Sequence, residues 1–128
     1  MSHYEERLER DLSQIKQQVA LLAGLVEKAL DDALHALLAD DDALAYATIL
    51  ADNRINAVSN ELDRMRMAFI SVPLPTGRHL RLMGAVVHAN VELERIGDYE
   101  VTICREAVQV PRPPQGLLQR EIELMAGE

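Results

Sequence analysis

The chain predicts an all-α fold, an antiparallel three-helix bundle with a short helical stub at its C-terminus. Three observations lead there. Apolar residues recur at alternating steps of four and three along most of the 128 residues, the repeat of a helix seam and not the alternation of a strand. Aromatic residues make up 3% of the chain, with no Trp and one Phe, so the core has to be assembled from Leu, Val, Ile, Ala and Met, as helical bundles are. Two breaks, Asp40-Asp41-Asp42 and Pro73-Leu74-Pro75-Thr76-Gly77, divide the periodic stretch into three pieces of similar length.

The first piece carries Leu8, Leu12, Ile15, Val19, Leu22, Val26, Ala29, Ala33 and Ala36 on one heptad line, which predicts a single helix of about 35 residues, roughly 50 Å long. Asp40-Asp41-Asp42 reads as turn and cap, because a carboxylate there can accept from the free N–H groups of the next helix and favour its positive end. The second piece repeats the rhythm with Leu44, Thr48, Ala51, Ile55, Val58, Leu62, Met65 and Phe69 before the prolines stop it. The third runs from about Arg78 to Val110. It places Leu82, Val86, Ala89, Leu93, Ile96, Ile103 and Ala107 on one face, with Met83, Val87, Val101 and Val108 widening the stripe enough to touch more than one neighbour. Short connections then force the three helices to run up, down and up with a left-handed winding. Pro111-Arg112-Pro113-Pro114 breaks the chain, and Leu117 to Met125 opens a fourth helix. The expected organisation is a three-helix unit over 1–110, followed by a Pro-rich linker and the start of a further helix over 111–128.

Composition narrows the chemistry. A length of 128 residues fits one domain. With 21 acidic against 13 basic residues, the net charge of −8 offers no basic patch, which disfavours nucleic acid and anionic lipid and favours cationic ligands or basic partner surfaces. Cys104 is the single cysteine, so an internal disulfide and a cysteine-rich zinc cage are excluded, and its position in the apolar stripe makes it a buried, inert thiol. The opening residues lack the basic-then-apolar order of a signal peptide. The longest apolar run, Val19 to Val26, is too short to cross a bilayer, so a soluble cytoplasmic protein is expected. No Ser/His/Asp arrangement, glycine-rich phosphate loop, HExxH motif or Glu-x-x-His pair is present, and an enzyme is not expected.

The stretch that carries chemistry is Leu93-Glu94-Arg95-Ile96-Gly97-Asp98. A spacing of four sets Glu94 and Asp98 on nearly one azimuth of a helix, where both carboxylates can reach one hard cation. Gly97 costs a helix interior about 1 kcal/mol relative to alanine, which points to close approach by another backbone or helix. Asp52, Asn56 and Asp63 line one flank of the second helix by the same geometry. If the two flanks face each other, four oxygen-bearing side chains meet around a cation. The competing reading is that these acids are solvated or paired with neighbouring bases, as Arg95 would be with Glu92 or Asp98.

These residues resemble the PhoU family of phosphate-uptake regulators. Leu93-Glu94-Arg95-Ile96-Gly97-Asp98 is similar to that family's most recognisable motif, and Ile103-Cys104-Arg105 follows it. Asp52-Asn53-Arg54-Ile55-Asn56 resembles the second-helix signature, and Pro75-Thr76-Gly77-Arg78-His79-Leu80-Arg81 the entry to the third helix. The resemblance spans residues 3–110. It implies a three-helix, spectrin-like repeat, two of which make up the usual member, with motifs that hold iron or zinc on the bundle surface. It also implies a regulatory adaptor that acts with a phosphate ABC transporter and its sensor histidine kinase, repressing the phosphate-starvation response and meeting the membrane only through those partners. Carried over by position, Glu94, Asp98 and Asp52 match the metal motif. Asn56 stands where an acid would complete it, and His79 stands where the family has an aspartate. A neutral amide ligand lowers the charge of such a site.

A single repeat leaves an apolar face that its missing partner would cover, so a homodimer rebuilding six helices is expected. The reading from a different class is a structural or dimerisation bundle with no phosphate role, its acidic flanks serving solubility. A carboxylate-metal hydrolase ranks third.

Overall fold

The computed structural model describes residues 3–72, 76–109 and 116–127. Four helices follow in order: α1 (His3–Ala39), α2 (Asp42–Ile70), α3 (Gly77–Gln109) and α4 (Gly116–Ala126). The first three pack mutually into the expected all-α bundle, and α4 lies against α1. The prolines at 73, 75, 111, 113 and 114, and the expected helix end at Val110, lie outside the described residues.

Helix α1 starts with Glu5 and Glu6 in its first turn, where carboxylates favour the positive end of the helix dipole. Eight of its nine seam residues are buried, from Leu8 to Ala36, with Val19 half-buried at the margin. The helix closes on Asp40, which takes a left-handed φ of 54°, while the Asp41 N–H donates to the Ala36 carbonyl at 3.0 Å. That is a Schellman closure with aspartate at the position that usually takes glycine. Asp41 then turns from closing α1 to opening α2, its Oδ1 accepting from the Leu44 N–H at 3.0 Å. The acidic triplet is therefore turn and cap, as its composition predicts.

At the far end of α2 the Ser71 N–H donates to the Met67 carbonyl at 3.1 Å and its hydroxyl to the Ala68 carbonyl at 2.7 Å. The start of α3 is held by Thr76 Oγ1 against His79 Nδ1 at 2.8 Å, with the His79 ring tilted over Phe69 at 6.2 Å. His79 thus serves the α2–α3 corner. Hydrogen bonds from α2 to both neighbours fix the register: Gln18 Nε2 donates to the Val58 carbonyl at 3.2 Å, and Ser59 Oγ donates to Asn90 Oδ1 at 2.7 Å.

Two expectations about faces are corrected. In α2 the N-terminal seam runs through Ala45, fully buried, while Leu44 is half-buried and Ala51 exposed. In α3 the buried line is Met83, Val86, Asn90, Gly97, Glu100, Cys104 and Ala107. Leu82, Ala89 and Leu93 occupy its margin, and Ile96 is 36% exposed. The line was hidden because three of its members, Asn90, Gly97 and Glu100, do not look like core in a hydrophobicity pattern. Asn90 is satisfied by Ser59 and by Asp63, whose Oδ1 accepts from Asn90 Nδ2 at 3.1 Å, so a polar side chain sits inside at modest cost.

Candidate functional site

Gly97 is the point about which the acidic residues gather. It is buried on α3, and a Cβ added there would lie 3.4 Å from Asp52 Oδ1 and 3.7 Å from Ile55 Cγ2. The close approach is therefore that of another helix, one of the two expected neighbours, made by the side chains of Asp52 and Ile55 on α2. Asp52 is half-buried, and its amide neighbour Asn56 donates from Nδ2 to Oδ2 at 3.3 Å. Burial and, next, the charge of Asp98 push the Asp52 carboxyl above its ordinary range, while the Asn56 hydrogen bond pulls the other way.

Of the four residues expected to ring a cation, Asp52, Asn56 and Asp98 come together at the α2–α3 edge. Glu94 lies exposed on the same side of α3 as Asp98, a turn earlier. Asn56 turns its N–H toward Asp52, the donor end that a cation would not accept. Among the described residues, no three His, Cys, Asp or Glu side chains are grouped to hold a metal ion. Asp63 is engaged elsewhere, by Asn90 and by Arg66 at 3.8 Å. Arg95 pairs with Glu92 at 3.3 Å, one of the two partners expected for it.

Sequence reasoning missed Glu100. It is 1% exposed, and neither carboxylate oxygen has a hydrogen-bond partner. Burial, and then the Asp52 charge, push its carboxyl up to about 8, so at neutral pH it is a protonated acid inside the bundle. A signal was present: Glu100 follows Gly97 by three and precedes Cys104 by four, the spacing of a single seam. Taking polar residues as surface residues concealed it.

One turn on, Cys104 is fully buried among Ala33, Ala36 and Ala45. Burial raises its thiol most; the Thr48 hydroxyl works against this, and the charges of Glu100 and Asp32 add to it. The burial expected of Cys104 is observed, and a thiol held protonated in an apolar cluster is a poor nucleophile. The edge thus offers concentrated negative charge above an interior acid, suited to attracting cationic groups. No described helix is long and apolar enough to cross a membrane.

Comparison with known proteins covers the same three helices. The family model described as the PhoU domain matches residues 19–107. The phosphate-specific transport system accessory protein PhoU of Serratia marcescens is 36% identical over 107 residues, 84% of this chain and 44% of that protein. The protein of that name from Escherichia coli K12 is 34% identical over the same shares. The PhoU homolog of Caulobacter vibrioides is 28% identical over 90% of this chain and 50% of its own. The chain therefore spans about half the length of the curated relatives it matches. No solved structure matches it.

Proposed function

The chain belongs to the PhoU family, and on that premise we propose that it is a regulatory accessory of phosphate uptake, acting in the cytoplasm with a phosphate ABC transporter and its sensor histidine kinase. The observation that carries this is the family match over residues 19–107, supported by relatives whose names place them with the phosphate-specific transport system. The helical scaffold and its acidic edge suit a protein that works by contact. Deletion should raise a phosphate-starvation reporter in phosphate-replete cells, and reintroduction of the chain should restore repression. An unchanged reporter would sink the assignment and favour a structural bundle without a phosphate role.

Two finer readings belong with it. Asp52 and Asp98 are close enough for one charge to disfavour the other, and a divalent or transition metal, iron or zinc, would relieve that repulsion. Asn56 would have to present its oxygen and Glu94 swing inward to complete the set. Elemental analysis of purified protein tests this: bound metal that is lost in Asp98→Asn supports it, and metal-free protein after purification with iron or zinc present counts against it.

The second concerns assembly. A shallow groove between α1 and α3, lined by Val19, Leu82, Ala85, Val86 and Ala89 with Lys16 at its rim, is the apolar face best suited to a second copy. The expected homodimer would show in light scattering at micromolar concentration and dissociate in Ala85→Glu. A monodisperse monomer in the unsubstituted chain would exclude it.

A further inference from the structure

Helix α3 carries two seams, and the bundle uses one. Besides its buried line, Leu80, Gly84, Val87, Val91, Glu94 and Asp98 follow one another at steps of four, three, four, three and four. At 100° per residue this second line lies roughly 100° round the helix from Gly97. Leu82, Ala85 and Ala89, on the other side of the buried line, border the groove with α1, so this line runs on the α2 side. Most of it faces outward: Leu80 is 63% exposed and Val91 48%, with Val87 half-buried between them. Helix α4 lies against α1 and not against this face, so no described element covers the line.

We propose that this line is a docking seam for one helix of a partner protein, apolar where it meets Leu80 to Val91 and carrying Lys or Arg where it meets Glu94 and Asp98, so that the partner's cations and a metal compete for the same two carboxylates. The heptad spacing is what a helix accepts along its length, and from Leu80 to Asp98 it extends about 27 Å, five turns. Gly84 supports close approach. A Cβ there would meet nothing within 4 Å, so no contact inside the bundle accounts for a residue that weakens a helix interior by about 1 kcal/mol relative to alanine. On a seam facing outward, the missing side chain lets a second backbone come near.

Charge decides the occupant. Glu94 and Asp98 are exposed and enter none of the ion pairs among the described residues, while nearby Arg95 is taken by Glu92. Arg105, two turns beyond Asp98 on the same side, bounds the acidic end. A second copy of the chain fits poorly. Set parallel, two copies would oppose their carboxylates; set antiparallel, each would bring its carboxylates onto the other's Leu80 and Gly84. A basic amphipathic helix matches both halves. The seam rests on spacing, exposure and charge and does not depend on the phosphate assignment.

The test uses the full chain and two labelled synthetic helices of about 20 residues. One has leucine at the seam positions of its first turns and lysine at those of its last; the other has glutamate in place of lysine. Fluorescence anisotropy should show the lysine helix binding at least about tenfold more tightly than the glutamate helix. Leu80→Glu/Val91→Glu should weaken the lysine helix by about tenfold or more, and Glu94→Lys/Asp98→Lys should reverse the preference. All four positions are exposed, and circular dichroism checks that each variant keeps its helices. Leu21→Glu, at an exposed position of α1, should leave binding unchanged. Equal binding of the two helices, indifference to Leu80→Glu/Val91→Glu, or loss in Leu21→Glu would overturn the proposal. So would a dimer of the unsubstituted chain that Leu80→Glu/Val91→Glu dissociates, because the seam would then belong to a second copy. Failure of the reporter experiment leaves these outcomes untouched, so the two readings fail separately.

Discussion

The two ends of the bundle are filled in different ways. Toward the α2–α3 corner the core is made of large side chains, Leu8, Leu12, Ile15, Leu22, Leu62, Phe69 and Met83 among them. Toward the α1–α2 turn it shrinks to Ala33, Ala36, Ala45 and Cys104, with Thr48 and Glu100 buried nearby. Large residues hold helices apart and gain from every buried methylene; small ones let backbones close in and leave less apolar area to stabilise the contact. The acidic edge begins at the small-residue end, where Gly97 lies against Asp52 and Glu100 is enclosed. Large buried apolar side chains lie at one end, and the buried acid at the other.

The sharpest way to break this division is to excavate the large-residue end. Leu22 is fully buried, and Leu22→Ala should cost about 2–5 kcal/mol, read from urea unfolding. Ala33→Gly at the other end should cost about 1 kcal/mol, mostly through helix propensity. Equal losses at the two sites would show that the two ends share one uniformly packed core.

Glu100 probes the other end through pH. Its carboxyl is raised from 4.5 to about 8, so below pH 4.5 both folded and unfolded states hold the proton and the residue is neutral in each. Between those values the unfolded chain ionises first, and the native state loses stability as pH rises. By pH 7 the penalty is roughly 3 kcal/mol, and it levels off above the folded value. Glu100→Gln removes the titration. The stability of the variant minus that of the original chain should therefore grow from pH 4.5 to pH 8 in denaturant melts, and a flat difference would mean that Glu100 reaches solvent or a partner when folded.

Why the small-residue end was harder to read follows from the same contrast. The seam of α1 from Leu8 to Ala36 and the aspartate turn were legible because large aliphatic periodicity and capping chemistry are local signals. The buried line of α3 was not, since Asn90 and Glu100 are interior only because tertiary neighbours enclose them. The acidic edge was half legible. Spacing placed Glu94 and Asp98 on one side of α3, but spacing carries no information about side-chain rotation, so it could not anticipate that Asn56 turns its donor toward Asp52 while Glu94 stays outward.

Midway between the ends, Asn90 joins α3 to α2 through Ser59 and Asp63. Asn90→Ala should leave the Ser59 hydroxyl without its buried acceptor and cost about 1–3 kcal/mol. If the polar network also sets register between the two regions, the double variant Ser59→Ala/Asn90→Ala will lose less than the two single losses added together, a coupling that thermal melts of the four proteins can measure.

The smallest effect is expected at Gly97, and it separates two reasons for a glycine. If the residue were needed for its backbone, alanine would be strained; but the position is helical, and the added Cβ would sit 3.4 Å from Asp52 Oδ1, an ordinary contact distance. Alanine also favours the helix by about 1 kcal/mol. Gly97→Ala should therefore change stability by no more than about 1 kcal/mol, whereas Gly97→Leu, whose side chain extends into the space that Asp52 occupies, should push that carboxylate off the edge. Unfolding curves give the first result. For the second, NMR titration of the Asp52 carboxyl should place it nearer its ordinary range in Gly97→Leu, because burial is the main cause that raises it and displacement into water removes that cause. An Asp52 that titrates alike in both proteins would mean that the glycine does not control how deeply the acid sits, and the link between the small-residue end and the charge above it would be broken.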